Sequence, residues 1–308
     1  VKLERSYPVK VKQKTSLKQL FFSQKLAPYI FVLPFIIVFL VFFLYPIIDM
    51  ISMSFHRVLP GVHDFIGLQN YNRITNQHFV HAIKNTIVYT IWTLIILIPI
   101  PLFLATVLNS KFLRFKNGFK AMLYMPSLTS VIVGGIIFSL MFSETDTALI
   151  NSLLIKIGLK PQAWTMGATT GMFLMVALAS WRWMGVNILY FLAGLQNIPN
   201  ELYEAAEMDG ANRFYKFFKI TVPLLKPVTI FTLTISLFAG FRMFEESYVL
   251  WKGNSPNDIG LTIVGYIYQL AFSYNNMGAA AAVGVVLLII VSVLCFVMLK
   301  FFGVFKED

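Results

Sequence analysis

Apolar residues come in six long runs separated by polar connections, near 27–48, 83–108, 119–142, 171–194, 224–250 and 278–302. Each run reaches the roughly 20 residues a helix needs to cross a hydrocarbon core about 30 Å thick. The runs therefore predict helices that cross the membrane. The expected fold is an all-α integral membrane protein with about six transmembrane helices. The first run is longer than the 7 to 15 apolar residues of a signal-peptide core, so it should stay attached as an anchor. Pro34, Pro99 and Pro101 fall inside runs and predict bends, because each removes a backbone donor. In the connection 143–170, Ile150, Leu153, Leu154 and Ile157 recur at helical spacing and predict a short surface helix.

Composition agrees with a bilayer: 57% of residues are hydrophobic and 13% charged, which excludes an ordinary soluble domain. The net charge of +11 lies between the spans and not on one basic face, so no nucleic acid is expected. Basic residues crowd the tail from Lys2 to Lys25. They recur at Lys111, Arg114, Lys116 and Lys120, then at Arg213, Lys216, Lys219 and Lys226, and finally at Lys300 and Lys306. By the positive-inside rule these segments share the cytoplasmic side, together with both termini. Residues 1–26 read as a basic cytoplasmic tail and 27–308 as one membrane domain.

The connection between spans four and five carries the densest local pattern, Ile198-Pro-Asn-Glu-Leu-Tyr-Glu-Ala-Ala-Glu-Met-Asp-Gly-Ala211. Asn200 is placed to cap a helix, Glu201 and Glu204 suit its positive end, and Gly210 suits a left-handed stop. Ala205 and Ala206 leave a low profile for a partner's backbone, while Glu204, Glu207 and Asp209 offer acids to basic groups on it. A connector lying on the membrane is the plainer reading, but acids at an anionic leaflet argue against it.

Charges inside spans are costly, so Arg182, Arg242, Glu245 and Glu246 should face a wet cavity or one another. Arg242 lies three and four residues before the two acids, a spacing that allows an ion pair on one helix face. Alternatively Glu245 or Glu246 accepts hydrogen bonds from a polar solute. Trp183 and Asn187 share a face where a ring could pack on a solute's C–H surface while an amide bonds its hydroxyls, although Trp181 and Trp183 would equally serve as helix anchors. His78 and His81 give an H-x-x-H spacing without a supporting Cys, so no metal is expected. Cys295 is the lone cysteine, in an apolar run. No phosphate-binding loop and no nucleophile elbow is present, so the chain is expected to be non-catalytic.

The residues Glu204-Ala-Ala, Asp209-Gly-Ala211, Phe217, Ile220, Pro223 and Pro227 resemble the EAA loop of binding-protein-dependent ABC importer permeases. Gly67-Leu-Gln-Asn-Tyr71, Asn85-Thr86 and Phe191-Leu-Ala-Gly-Leu195 extend the likeness over most of the chain. Gly253-Asn-Ser-Pro256 departs from the G-G-P turn usual in the carbohydrate (maltose-permease-like) branch. Within that branch, Phe241-Arg-Met-Phe-Glu-Glu-Ser-Tyr-Val-Leu-Trp251 and Ala179-Ser-Trp-Arg-Trp-Met-Gly185 look most like permeases for arabinose-containing oligosaccharides.

The resemblance implies a type I permease domain in a bacterial cell membrane, with a cytoplasmic coupling helix between spans four and five. Glu204, Ala205, Ala206, Asp209, Gly210 and Ala211 would meet the ATPase, and the stretch of span five bearing Arg242, Glu245 and Glu246 would line the pathway. Implied partners are a second permease, two ATPase subunits, an extracellular solute-binding protein and a sugar. No cofactor is expected on this chain, with ATP and Mg on the ATPase. The alternative is a self-sufficient secondary transporter of a polar solute, using Arg242, Glu245 and Glu246 for ion coupling.

Overall fold

The computed structural model describes residues 26–110 and 113–302. The basic tail up to Lys25, Lys111 and Lys306 lie outside the described residues. The segment up to Ser52 and the body from Met53 onward form two compact units.

From Ala27 the first unit is helical throughout, belonging to α1, Ala27–Ser54, whose last two residues fall in the second unit. No residue from Ala27 to Leu44 is buried, and Phe31, Phe35 and Phe42 stand fully out from it. A helix apolar on every side has lipid as its solvent. Phe35, Phe39 and Phe43 stack along one edge, four residues apart, with centroids 6.4 and 6.1 Å from ring to ring. Pro34 is accommodated within the helix, and a π turn follows at Leu40–Leu44.

The body opens with an antiparallel hairpin, β1 (His56–Leu59) and β2 (Val62–Phe65), in which Leu59 faces Val62. Pro60 and Gly61 make the two-residue turn, with Gly61 at φ +77° where a side chain would be strained. The short helix α2 (Gln69–Ile74) follows. Its Asn70 donates to the carbonyls of Ser54 and His56, at 2.8 and 2.9 Å, and Tyr71 donates to the Ser54 hydroxyl at 2.7 Å. The motif around Asn70 therefore closes α2 back on Ser54 and His56, at the start of the body.

Helix α3 (Gln77–Asn109) is capped by Asn76 and breaks at Ile98, just before Pro99. Expected as one span, 119–142 is instead α4 (Lys116–Leu128) and α5 (Val131–Met141), bent by 97°. Pro126 weakens the last turn of α4, and Thr129 and Ser130 both leave helical geometry. The anticipated surface helix is α6, Leu149–Lys156.

Helix α7 (Ala168–Leu195) is the centre of the body, with 56% of its most apolar window buried against 0% for α1. Lipid tails are as apolar as leucine, so close approach and not water exclusion holds membrane helices together. The small residues Gly171, Gly185 and Gly194 are all buried along α7. At Gly185 an added methyl would collide with the backbone of Leu123 and Tyr124, so α4 can lie on α7 only because that residue is glycine. The far half of α7 packs Ile188, Phe191, Leu192 and Leu195 against Ile98, Leu102, Ala105 and Leu108 of α3.

After α8 (Asn200–Met208) and α9 (Arg213–Lys216), a π turn at Phe217–Thr221 leads into α10 (Lys226–Phe241). The fifth span is broken: Arg242, Met243 and Phe244 leave the helix before α11 (Glu245–Trp251) resumes it. The turn that departs from G-G-P follows, with Lys252 and Gly253 both left-handed. Helix α12 (Ile263–Ser273) then packs along the first turns of α13 (Met277–Phe301).

The Asn85-Thr86 pair fixes this last connection. Asn85 donates to the carbonyls of Asp258 (2.7 Å) and Leu261 (3.0 Å), and the Thr86 hydroxyl accepts from the Ile263 backbone at 3.0 Å.

Candidate functional site: a charged cavity and an exposed helix

The break in span five is held open from outside the helix. Thr262 donates to the Met243 carbonyl at 2.8 Å, and Ser247 donates to the Gly260 carbonyl at 2.5 Å. The Met243 carbonyl, which a continuous helix would satisfy internally, thus finds its partner in the following loop. The restart places Glu245 and Glu246 in the first turn of α11, the end at which a helix favours negative charge.

A cavity of about 940 Å³ lies beside this break, a size within the range of small-molecule sites. Trp183, Asn187, Arg242, Glu245 and Glu246 all line it, so the structure gathers every residue expected to contact a solute. It also adds residues the sequence did not single out, among them Tyr89, Tyr190 and Phe244. Tyr89 carries no local signal, being one aromatic among many in an apolar run.

The ion pairs differ from those that spacing suggested. The helix break takes Arg242 out of register with the acids, and among the described residues it has no ion pair. Arg182 of α7 instead reaches Glu246 at 3.0 Å, with Glu245 farther off at 3.9 Å. Arg182 and Glu246 are buried, their side chains 10% and 7% exposed, whereas Glu245 is 64% exposed. The two acids therefore have different jobs: Glu246 ties span five to span four, and Glu245 stands open to the cavity. The Nε of Arg182 has no hydrogen-bond partner within the protein, leaving one donor beside the cavity.

Asn187 is partly committed elsewhere. Its amide donates to the Leu97 carbonyl at 2.7 Å and approaches the Ser236 hydroxyl at 3.4 Å. Leu97 is four residues before Pro101, which has no N–H to give it. Asn187 supplies the missing donor from a neighbouring helix, and only its carbonyl oxygen remains to offer a ligand. Trp183 is 41% exposed beside it, with the Arg182 guanidinium 5.5 Å from its ring centre.

On the side reached by the far end of α7, helix α8 stands out from the body. Glu204, Ala205, Asp209 and Gly210 are exposed, and Ala206 and Ala211 are half-buried. Leu202 and Met208 are exposed too, Met208 at 89%. The N-cap position belongs to Pro199, without a side-chain bond, so Asn200 is the first helical residue and not the cap. The stop is as expected: Gly210 has φ +77°, and the Ala211 N–H returns to the Ala206 carbonyl at 2.8 Å. Glu207 pairs with Lys216 of α9, so it braces the segment internally. Tyr203 ties α8 to the body through the Thr221 hydroxyl at 2.9 Å.

At the opposite end of the spans, His78 and His81 both meet the Asp258 carboxylate, at 2.6 and 3.3 Å. The H-x-x-H spacing serves as a tie between the start of α3 and the loop after α11.

A bundle of broken apolar helices around a charged cavity, with a short braced helix projecting on one side, defines a multi-pass membrane transport subunit. Residues 97–305 match the family described as binding-protein-dependent transport system inner membrane component. The chain belongs to this family: it is an ABC importer permease, a transport component and not an enzyme.

It is 60% identical over 94% of its length to the arabinooligosaccharides transport system permease protein AraP of Bacillus subtilis (strain 168), covering 93% of that relative. It is 34% identical over 87% of its length to the lactose transport system permease protein LacF of Rhizobium radiobacter, covering 91% of it. In fold it superposes on a chain of a bacterial ABC transporter involved in import of the acidic polysaccharide alginate. The TM-score is 0.80 at 24% identity, covering 91% of this chain and 96% of the other.

Proposed function

We propose that the chain is one of two permease subunits of an importer for a neutral, arabinose-containing oligosaccharide, and that the cavity beside Arg182 and Glu246 holds the sugar in transit. The observation that carries the substrate class is charge balance. Two cations, Arg182 and Arg242, and two carboxylates, Glu245 and Glu246, line one cavity. A site of no net charge suits hydroxyls, which both donate and accept, better than an acidic chain. The names of the relatives support a sugar, and the arabinooligosaccharide relative supports the pentose.

In this reading residues 27–308 are the permease domain and the tail before them is cytoplasmic, as are both termini. Helix α8 seats in a cleft of a separate ATPase, which supplies ATP and Mg. Glu204 and Asp209 offer it charge, Ala205 and Ala206 let its backbone approach, and Gly210 and Ala211 fix the end of the helix. An extracellular solute-binding protein delivers the sugar to the opposite side. Trp183 offers a ring face, Asn187 a carbonyl oxygen, Glu245 a carboxylate and Arg242 donors. The test is to purify the chain with its companion permease and candidate ATPase. Binding protein loaded with arabino-oligosaccharide should raise ATP hydrolysis, and an assembly that responds only to acidic or unrelated sugars would overturn the substrate.

A further inference from the structure

We propose that Phe244, Tyr248, Tyr268 and Phe272 form an aromatic track, on the side of the membrane opposite α8, along which an oligosaccharide lies as it enters the cavity. This rests on the sugar reading above and extends it to a second, outer binding surface. Phe244, Tyr248 and Tyr268 pack as a triad, and Phe272 extends it outward from Tyr268. Phe244 is 5.1 Å from Tyr248 and 5.2 Å from Tyr268, centre to centre, and Tyr268 is 5.4 Å from Tyr248 and 5.1 Å from Phe272.

The row begins at the cavity, because Phe244 lines it. A second line of residues gives the same direction. Val264, Tyr268 and Phe272 recur every four residues along α12, and Val264 also lines the cavity. The start of α12 lies deep, bonded through Ile263 to Thr86, ten residues beyond the Asn76 cap of α3. Those ten residues correspond to about 15 Å of helix. Its far end, at Ser273, lies just before α13 begins. The track therefore climbs from the cavity to the outer rim, where it ends on Phe272, 64% exposed, beyond the half-buried Tyr268.

The occupant follows from the chemistry and from continuity with the cavity. Aromatic rings at a membrane interface ordinarily anchor a protein among lipid headgroups. Here the inner end of the row opens on the charged cavity, a placement that lipid anchoring does not require. An aromatic face attracts electropositive hydrogens through its quadrupole, and the C–H face of a sugar ring presents them. Rings of the oligosaccharide beyond those the cavity encloses would rest on Tyr268 and Phe272.

The test uses the complete transporter in proteoliposomes, with labelled arabinobiose and arabinotetraose as probes. Phe272→Leu keeps an apolar side chain and removes the ring face, and Phe272→Trp keeps a face. The leucine variant should raise the half-saturating concentration for the tetraose by about three- to tenfold, the scale of an aromatic face contact. It should leave the biose unchanged, and tryptophan should restore the tetraose. Equal effects on both sugars, no effect on either, or equal performance of leucine and tryptophan would overturn the track. Loss of the second permease from the purified assembly would assign the row to that contact and overturn it too. Failure of the unaltered transporter to take up any arabino-oligosaccharide would overturn the sugar reading itself, before any variant is compared.

Discussion

Removing the Glu246 carboxylate should cost stability before it costs sugar. In Glu246→Ala the Arg182 guanidinium, 10% exposed, loses the acid 3.0 Å away. Breaking a buried pair by deleting one partner costs about 3–5 kcal/mol, because the other charge stays buried. Glu245 offers little in exchange, since at 3.9 Å and 64% exposure it resembles a surface pair, worth roughly 0–1 kcal/mol. The net loss is about 3 kcal/mol, which at about 2.1 cal/mol/K of unfolding entropy per residue corresponds to roughly 5 °C of melting temperature for a chain of this length. Thermal unfolding of the purified assembly in detergent reads this directly. The double variant Arg182→Met with Glu246→Leu should recover most of the loss, because apolar residues of similar volume replace a buried pair at little cost. An unchanged melting temperature for Glu246→Ala, together with weakened sugar uptake, would refute the reasoning and make Glu246 a sugar ligand.

Three other perturbations separate the remaining roles. Glu204→Lys should abolish uptake while the chain stays in the membrane, and normal uptake would sink the assignment of α8 to the ATPase. Gly210→Ala forces a side chain into φ +77°, at a cost of about 1–2 kcal/mol, and should lower the ATPase bound per permease without altering sugar specificity; unchanged ATPase retention would count against the helix stop. Asn187→Ala leaves the Leu97 carbonyl without its donor and should destabilise by about 1–3 kcal/mol, measured by melting; a stable variant with impaired uptake would instead make the amide a ligand contact.

The long spans were legible because each needs only length and apolarity, and the observed helices overlap the six anticipated segments. The stop of α8 was equally legible, since glycine at its end is a local signal. What escaped notice depends on distant neighbours. Arg182 and Glu246 are 64 residues apart; the sequence left these charges to face a cavity or one another, but its spacing singled out Arg242, not Arg182, as the partner of the acids. The break that removes Arg242 from contention is maintained by Thr262 and Ser247, contacts without a helical period. The 97° bend in span three had a hint in Pro126, but the two extended residues after Leu128 carry no strong turn chemistry. The hairpin at His56–Phe65 was a missed signal: Pro60-Gly61 is a turn pair between two short apolar stretches. Helix α12 is too short to register as a span and lay inside what read as a connection.

The bond from Asn187 to the Leu97 carbonyl has a mechanical consequence. A proline-broken helix would ordinarily flex at its gap, since one of its carbonyls is free to rotate away. Here that carbonyl is pinned to α7, and the turns on the far side of the break interlock with α7 through Phe191 and Leu192. The inner half of α3 and the inner half of α7 therefore behave as a single lever, whose tip runs within a few residues into α8. In the proposed coupling a push on that short helix swings both spans together, and the compliance of the subunit is left to the bend at Thr129, since the break at Arg242 is itself tied through Thr262.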